Sequence, residues 1–147
     1  MDNKLGLSQD RMEDIENKLY ELKSSLLDLD VSFNTNGFDI IYLMRLHEFL
    51  FGDLYYNAGK LSSRYEEDDK YLFDNVIQEA IDLIKAEEDP EAISSVVNEL
   101  IDYQIFDDGN SRTIHLFFDH IIDCYEMHNV EYASKLKEEI KKHGRKY

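Results

Sequence analysis

The chain has 147 residues, of which 43% are hydrophobic, enough for one globular domain with one core. Its 32 acidic residues outnumber 16 basic ones, and the net charge of −16 repels nucleic-acid phosphates, which argues against direct nucleic-acid binding. The single cysteine excludes an internal disulfide, no apolar run reaches the about 20 residues of a membrane span, and no signal-peptide region is evident, so we expect a soluble cytoplasmic protein.

Apolar residues recur at helical spacing along the first half of the chain. Ser8 or Asp10 caps a first helix with these inward positions: Met12, Ile15, Leu19, Leu22 and Leu26. Residues 31–39 form a polar connection. A second helix begins near Asp39 and ends at Gly59, and its inward face is formed by Ile41, Met44, His47, Phe51, Leu54 and Ala58.

The second half predicts four more helices. The third carries Phe73, Val76, Ile77, Ala80, Ile81 and Ile84 inward. The fourth starts at Asp89 with Pro90 in its first position, the fifth covers residues 112–122, and the last runs from about Val130. Residues 60–71, which include four consecutive acids, leave room for a short hairpin or an irregular flap. The prediction is an all-α single domain over residues 1–147, with about six helices and at most one short β-hairpin.

A short turn, DDGNSR (107–112), joins the fourth and fifth helices. Gly109 permits a backbone conformation that other residues resist, and Asn110 or Ser111 can cap the next helix. The free N–H groups at that helix start form an anion site, to which Arg112 adds donors for phosphate. Asp108 is a candidate Mg²⁺ ligand beside it. The turn alone favours an ordinary Asp-Gly-Asn connection between two helices over an anion site.

Three segments of the chain resemble the Fic family, whose proteins transfer AMP or another phosphate-containing group from a nucleotide to a protein hydroxyl. Residues 104–115 (QIFDDGNSRTIH) are similar to the family signature, H-P-F-x-[D/E]-G-N-G-R-x-x-R. Residues 2–19 (DNKLGLSQDRMEDIENKL) resemble the N-terminal segment, often N-K-L-G-I-T. Residues 43–61 (LMRLHEFLFGDLYYNAGKL) resemble the helix I-H-x-x-L-F-x-D-[IVL]-Y-x-W-A-G-x-[IL]. The resemblance implies a Fic-like helical domain.

The resemblance also implies a role for each signature position. Gln104 stands where the family has its general base, a His that takes the proton from the target hydroxyl. Asp108 would hold Mg²⁺ between the nucleotide phosphates, and Arg112 would steady the outer phosphates. The α-phosphate would lie on backbone groups of Gly109, Asn110 and Ser111. The implied cofactor is ATP, or another nucleotide, with Mg²⁺.

Two further roles follow from the same resemblance. Phe106 would anchor the loop in the core. A flap within residues 62–73 would grip an extended segment of the target protein by β-augmentation.

The departures from the signature concern the chemistry. Gln104 has no basic nitrogen, and loss of a general base typically costs about 10²–10⁴-fold in rate. Ser111 replaces a glycine at the phosphate loop, and His115 replaces the second arginine, which weakens the phosphate clamp at neutral pH. Ile105 and Asn57 replace a Pro and a Trp. We therefore predict a degenerate Fic-fold protein that is deficient in AMP transfer, binds nucleotide weakly or not at all, and acts by binding a protein partner.

Two alternative functions stay open. One is an active protein adenylyltransferase with non-standard catalytic residues, in which His115 acts as base because it lies almost one turn past Arg112 and should face the cleft mouth. The other is an acidic, DNA-like inhibitor that binds a nucleic-acid-handling protein. The sequence leaves the oligomeric state open.

Many Fic proteins carry an inhibitory pattern, [S/T]-x-x-x-E-[G/N], whose Glu pairs with the second arginine. The segments from Ser95 to Glu99 and from Ser134 to Glu138 match its first five positions, but Leu100 and Glu139 follow them. We expect a site that needs no inhibitor.

Histidines outside the turn suggest two further features, a possible metal site and a structural hydrogen bond. His120, Cys124 and His128 would share a helix face and could bind a transition metal, but no fourth ligand is evident, and the pattern favours unrelated polar residues on a helix flank. His47 is expected to make a hydrogen bond that braces the core or the loop.

Overall fold

The computed structural model describes residues 3–26, 37–125 and 129–142. Its helices are α1 (Gln9–Leu26), α2 (Ile40–Phe51), α3 (Asp69–Lys85), α4 (Pro90–Asp102), α5 (Asn110–Tyr125) and α6 (Val130–Lys141). The described residues contain no strand, only an isolated antiparallel bridge between Asn3 and Tyr55. The all-α prediction is therefore confirmed, and the hairpin that it allowed is not formed in this part of the chain. None of these helices combines the length and the apolarity needed to traverse a lipid bilayer.

Helix α5 lies at the centre of a hydrophobic core to which all six helices contribute. Every residue from Arg112 to Phe118 is buried, and α5 contacts α2, α3, α4 and α6. Helix α4 packs between α3 and α6, while α1 packs on α2. The N-terminal end of α5, with the predicted site residues, is consequently fixed by the core.

Helix α2 ends at Phe51 and not at Gly59, so the predicted end was wrong. Gly52 is the C-cap, and glycine has a low helix propensity. The N-terminal segment then donates hydrogen bonds to carbonyls just after the end of α2. Lys4 donates from Nζ to the carbonyl of Gly52 (2.8 Å) and from its backbone N–H to that of Leu54 (2.6 Å). A competing set of hydrogen bonds therefore terminates the helix earlier than the periodicity indicated.

The inward face of α2 also differs from the prediction. Ile41 is 42% exposed, whereas the buried apolar positions are Ile40, Tyr42, Leu43, Leu46, Leu50 and Phe51. Leu54 and Ala58 are buried as predicted, but they reach the core from turns after the helix. Because the predicted helical repeat included Leu54 and Ala58, the predicted inward face of α2 was rotated relative to the observed one.

The boundaries of the other helices agree with the prediction to within a few residues. Most of the predicted connection at residues 31–39 and the side chain of Leu26 lie outside the described residues.

Replacing Asp89 with Ala should lower the free energy of unfolding by about 1 kcal/mol, because the Asp89 side chain accepts the Glu91 N–H and caps α4. Urea-induced unfolding measures the change. Asp68→Ala is the matched control, because Asp68 precedes α3 but makes no side-chain cap hydrogen bond. Equal losses in the two variants would contradict the capping role.

Candidate functional site

The loop between α4 and α5 is held in shape by Asn110. Its Oδ1 accepts the N–H of Phe106 (2.9 Å), and its Nδ2 donates to the carbonyl of the same residue (2.9 Å). Gly109 precedes it with a φ of +75°, and a Cβ at that position would lie 2.6 Å from a ring carbon of Phe51. Both the backbone conformation and the available space therefore require glycine.

His47 of α2 braces the same loop from the core side. The N–H of Gly59 donates to its Nδ1 (2.9 Å), so the ring hydrogen is on Nε2, which donates to the carbonyl of Asp108 (2.9 Å). The ring also stacks on Phe106 at a centroid distance of 4.0 Å. Burial lowers the pKa of His47 to about 4, so the imidazole is neutral at pH 7. The predicted bracing role is confirmed, and so is the burial of Phe106.

Residues 62–65 hold the other side of the loop through three consecutive carbonyls that follow α4. The hydroxyl of Tyr65 donates to the carbonyl of Tyr103. Arg64 Nη2 donates to the carbonyl of Gln104 (3.1 Å), and the N–H of Ser62 donates to Ile105 (2.7 Å). The chain just after α4 is therefore fixed by its own earlier segment.

Of the two shapes that the sequence allowed for the flap at residues 62–73, the irregular one is observed and the hairpin is not. Residues 61–68 form turns, and α3 already begins at Asp69. The N–H of Ser62, a group that an incoming strand would use, is bonded within the chain. No strand edge lies in this described segment, and capture of a target by β-augmentation stays a prediction.

A cavity of about 630 Å³ lies between α1 and the loop. It brings together six of the seven predicted site residues: Gln104, Asp108, Gly109, Asn110, Ser111 and Arg112. The rest of its lining is Gln9, Glu13, Glu16, Asn17, Ile101 and Asp107. Among these residues four are carboxylates and only Arg112 is a cation, so the cavity is acidic.

Arg112 is buried, with 7% of its surface exposed, and is held by α1. Its Nη2 donates to Asn17 Oδ1, its Nη1 lies 3.7 Å from Glu16 Oε2, and its guanidinium lies 5.8 Å from the ring centroid of Tyr20. The guanidinium is thus hydrogen-bonded to Asn17 through Nη2 and ion-paired with Glu16 within the chain.

The contact between α1 and Arg112 was missed by the sequence analysis. Glu16 and Asn17 match the last two positions of the inhibitory pattern, with Met12 at the position of its hydroxyl residue. The pattern was matched to segments that begin at Ser95 and Ser134, and the expectation of a site that needs no inhibitor stays a prediction.

Glu16 is also bonded to Tyr55, whose hydroxyl donates to its Oε1. Burial raises the pKa of Glu16, the Tyr55 hydrogen bond opposes that rise, and the nearby Asp108 adds to it. Burial and the adjacent Glu16 raise the pKa of Tyr55 above its usual range. A phenol, a carboxylate and a guanidinium therefore form one connected polar group beneath the cavity.

Asp108 lies beside the amide that opens the expected phosphate loop. The N–H of Gly109 donates to Asp108 Oδ1 (2.8 Å), so this amide already has an anionic acceptor. Asp107 accepts from Asn57 Nδ2 (3.1 Å). The described residues contain no group of three His, Cys, Asp or Glu side chains that could hold a metal ion. Mg²⁺ at Asp108 would depend on oxygens of a bound nucleotide and stays a prediction.

His115 lies away from the cavity. It is 1% exposed and is absent from the cavity lining. The sequence predicted a position at the cleft mouth because His115 follows Arg112 by almost one turn. Helix α5 is central, however, and the neighbouring helices bury this part of it. The expected orientation toward the mouth was therefore wrong.

The residues proposed as transition-metal ligands divide between two environments. His120 is buried beside the rings of Phe38 and Tyr42, whereas Cys124 is exposed. His128 lies outside the described residues.

Compared with known proteins, the chain matches no protein-family model and no curated protein. The similarity to the Fic family accordingly rests on the three sequence segments quoted above and stays a prediction.

Gly109→Ala should lower the free energy of unfolding by about 2 kcal/mol or more, because the new methyl group meets Phe51 and the positive φ disfavours any side chain. Gly6→Ala is the control: Gly6 also has a positive φ, but a Cβ there meets nothing within 4 Å. Urea titrations of both variants should show the larger loss at position 109. A loss no greater than that of Gly6→Ala would contradict the steric argument.

His47→Gln should change how stability depends on pH. The unfolded chain protonates this histidine near pH 6.5, whereas the folded chain does so only at about 4. His47 therefore contributes stability above about pH 6.5 that is lost by about 1.4 kcal/mol per pH unit as the pH falls towards 4. The stability difference between wild type and variant, measured in urea, should shrink by about 2 kcal/mol from about pH 7 to about pH 5. A constant difference would show that the ring titrates normally.

Proposed function

We propose that this protein is a Fic-like protein whose group-transfer chemistry is disarmed and which acts by binding a protein partner. The observation that carries the proposal concerns Arg112, the single cation of the cavity lining, which is buried, hydrogen-bonded to Asn17 and ion-paired with Glu16 of α1. A nucleotide would have to displace these partners before its phosphates reached the guanidinium.

The electrostatics of the cavity support the same proposal. A nucleotide phosphate chain would enter beside Glu13, Glu16, Asp107 and Asp108. The amide of Gly109, which would otherwise receive a phosphate oxygen, donates to a carboxylate. Repulsion by these groups opposes nucleotide binding unless a divalent cation offsets it.

The position of the general base supports loss of turnover. Gln104 lies at the cavity, where its amide does not accept a proton near pH 7. His115, the candidate substitute, is buried outside the cavity lining. The alternative of an active adenylyltransferase thus lacks a base in the described part of the cavity, other than its carboxylates.

The protein should label no other protein when it is incubated with radiolabelled ATP, GTP or UTP, Mg²⁺ and a cell lysate. Gln104→His restores a base, and Ser111→Gly removes a side chain from the phosphate loop. We therefore expect this double variant to gain labelling by at least about 10²-fold, the typical effect of a general base.

Adding Asp108→Ala to the double variant is the control and should abolish the gained labelling. Labelling by the wild-type protein that disappears in Asp108→Ala or Arg112→Ala would instead establish an active transferase and overturn the proposal.

A further inference from the structure

The side chain of Gln104 has a defined orientation because of Arg64. Arg64 Nη2 donates both to the backbone carbonyl of Gln104 (3.1 Å) and to its side-chain Oε1 (3.3 Å). A guanidinium has only donors, so the atom of Gln104 that faces it is the amide oxygen. The amide nitrogen is on the other branch of the planar group, and it has no hydrogen-bond partner among the described residues.

The backbone at position 104 is equally constrained. Gln104 has a φ of +50°, a left-handed conformation that is uncommon for residues other than glycine. Its N–H donates to Ile101 (3.0 Å), and the carbonyls on either side are held by Tyr65 and Ser62. These bonds fix where the side chain leaves the backbone, and Gln104 lines the cavity.

We propose that Gln104 offers an N–H donor to the cavity and that this donor binds a neutral carbonyl oxygen, of the kind that a peptide backbone of the partner supplies. Arg64 is the positioning residue: its hydrogen bond holds the amide oxygen of Gln104, which leaves the amide nitrogen for the cavity. The inference rests on the proposed function and names the chemistry by which the partner is recognised.

The acidic lining selects a neutral acceptor over an anionic one. Carboxylates of Glu13, Glu16, Asp107 and Asp108 line the same cavity. Arg112 in the lining and Arg64 beside Gln104 offset two of these four charges, so the net field still repels a carboxylate or phosphate, whereas an amide carbonyl carries no net charge.

The test uses the side-chain NH₂ signals of the uniformly ¹⁵N-labelled full chain in two-dimensional NMR. The signals of Gln104 are identified by their absence from the spectrum of Gln104→Glu. N-methylacetamide serves as the neutral carbonyl probe, and acetate serves as an anionic acceptor of similar size. Gln78 is the internal control, because it lies on α3 and its Nε2 donates to Asp82 (2.8 Å).

Titration with N-methylacetamide should move the Gln104 signals along a saturating curve and leave those of Gln78 nearly unchanged, while acetate moves the Gln104 signals less. Arg64→Ala should weaken the apparent affinity for N-methylacetamide by about fivefold, because Gln104 then loses the hydrogen bond that orients its amide. Arg64→Lys should retain part of the response, because lysine still donates to the oxygen.

Equal responses of Gln104 and Gln78, equal responses to the two probes, or an unchanged affinity in Arg64→Ala would each overturn the proposal. These outcomes are separate from the labelling experiment, since a wild-type protein that labels targets would refute the proposed function whatever the NMR signals do.

Discussion

The loop that forms one wall of the cavity depends on a neutral, fully buried imidazole. His47 receives a hydrogen bond from the backbone at Gly59 and gives one to the backbone at Asp108, so it joins two turns that are far apart in sequence. Its ring stacks on Phe106, which Asn110 holds through two further backbone hydrogen bonds. Because every one of these bonds uses backbone atoms, the loop keeps its shape whatever side chains point into the cavity.

Under the proposed function, this division separates the residues that hold the loop from the residues that would carry the chemistry. The side chains of His47 and Phe106 face the core, Gly109 has no side chain, and Asn110 bonds the backbone of the loop while it also lines the cavity. Among the positions that differ from the Fic signature, Gln104 and Ser111 line the cavity, whereas Ile105 and His115 are buried outside its lining.

Local sequence signals predicted most of the fold. Asp89-Pro90 marked the start of α4, and the turn at Gly109 marked the junction of α4 and α5, because capping and positive φ depend on neighbouring residues. The site was predicted less completely because its partners are distant in sequence. Asn17 reaches Arg112, and Arg64 reaches Gln104, through contacts that no short pattern encodes. The burial of His115 likewise follows from the central position of α5, a property of the assembled core.

The contact between Asn17 and Arg112 joins positions 95 residues apart. Loop closure over such a span carries a large entropic cost, and contacts of this kind slow folding. Packing of α3 on α4, by contrast, requires only a short connection. During synthesis α1 leaves the ribosome before α5 does, so the cavity between them cannot form until Arg112 has emerged.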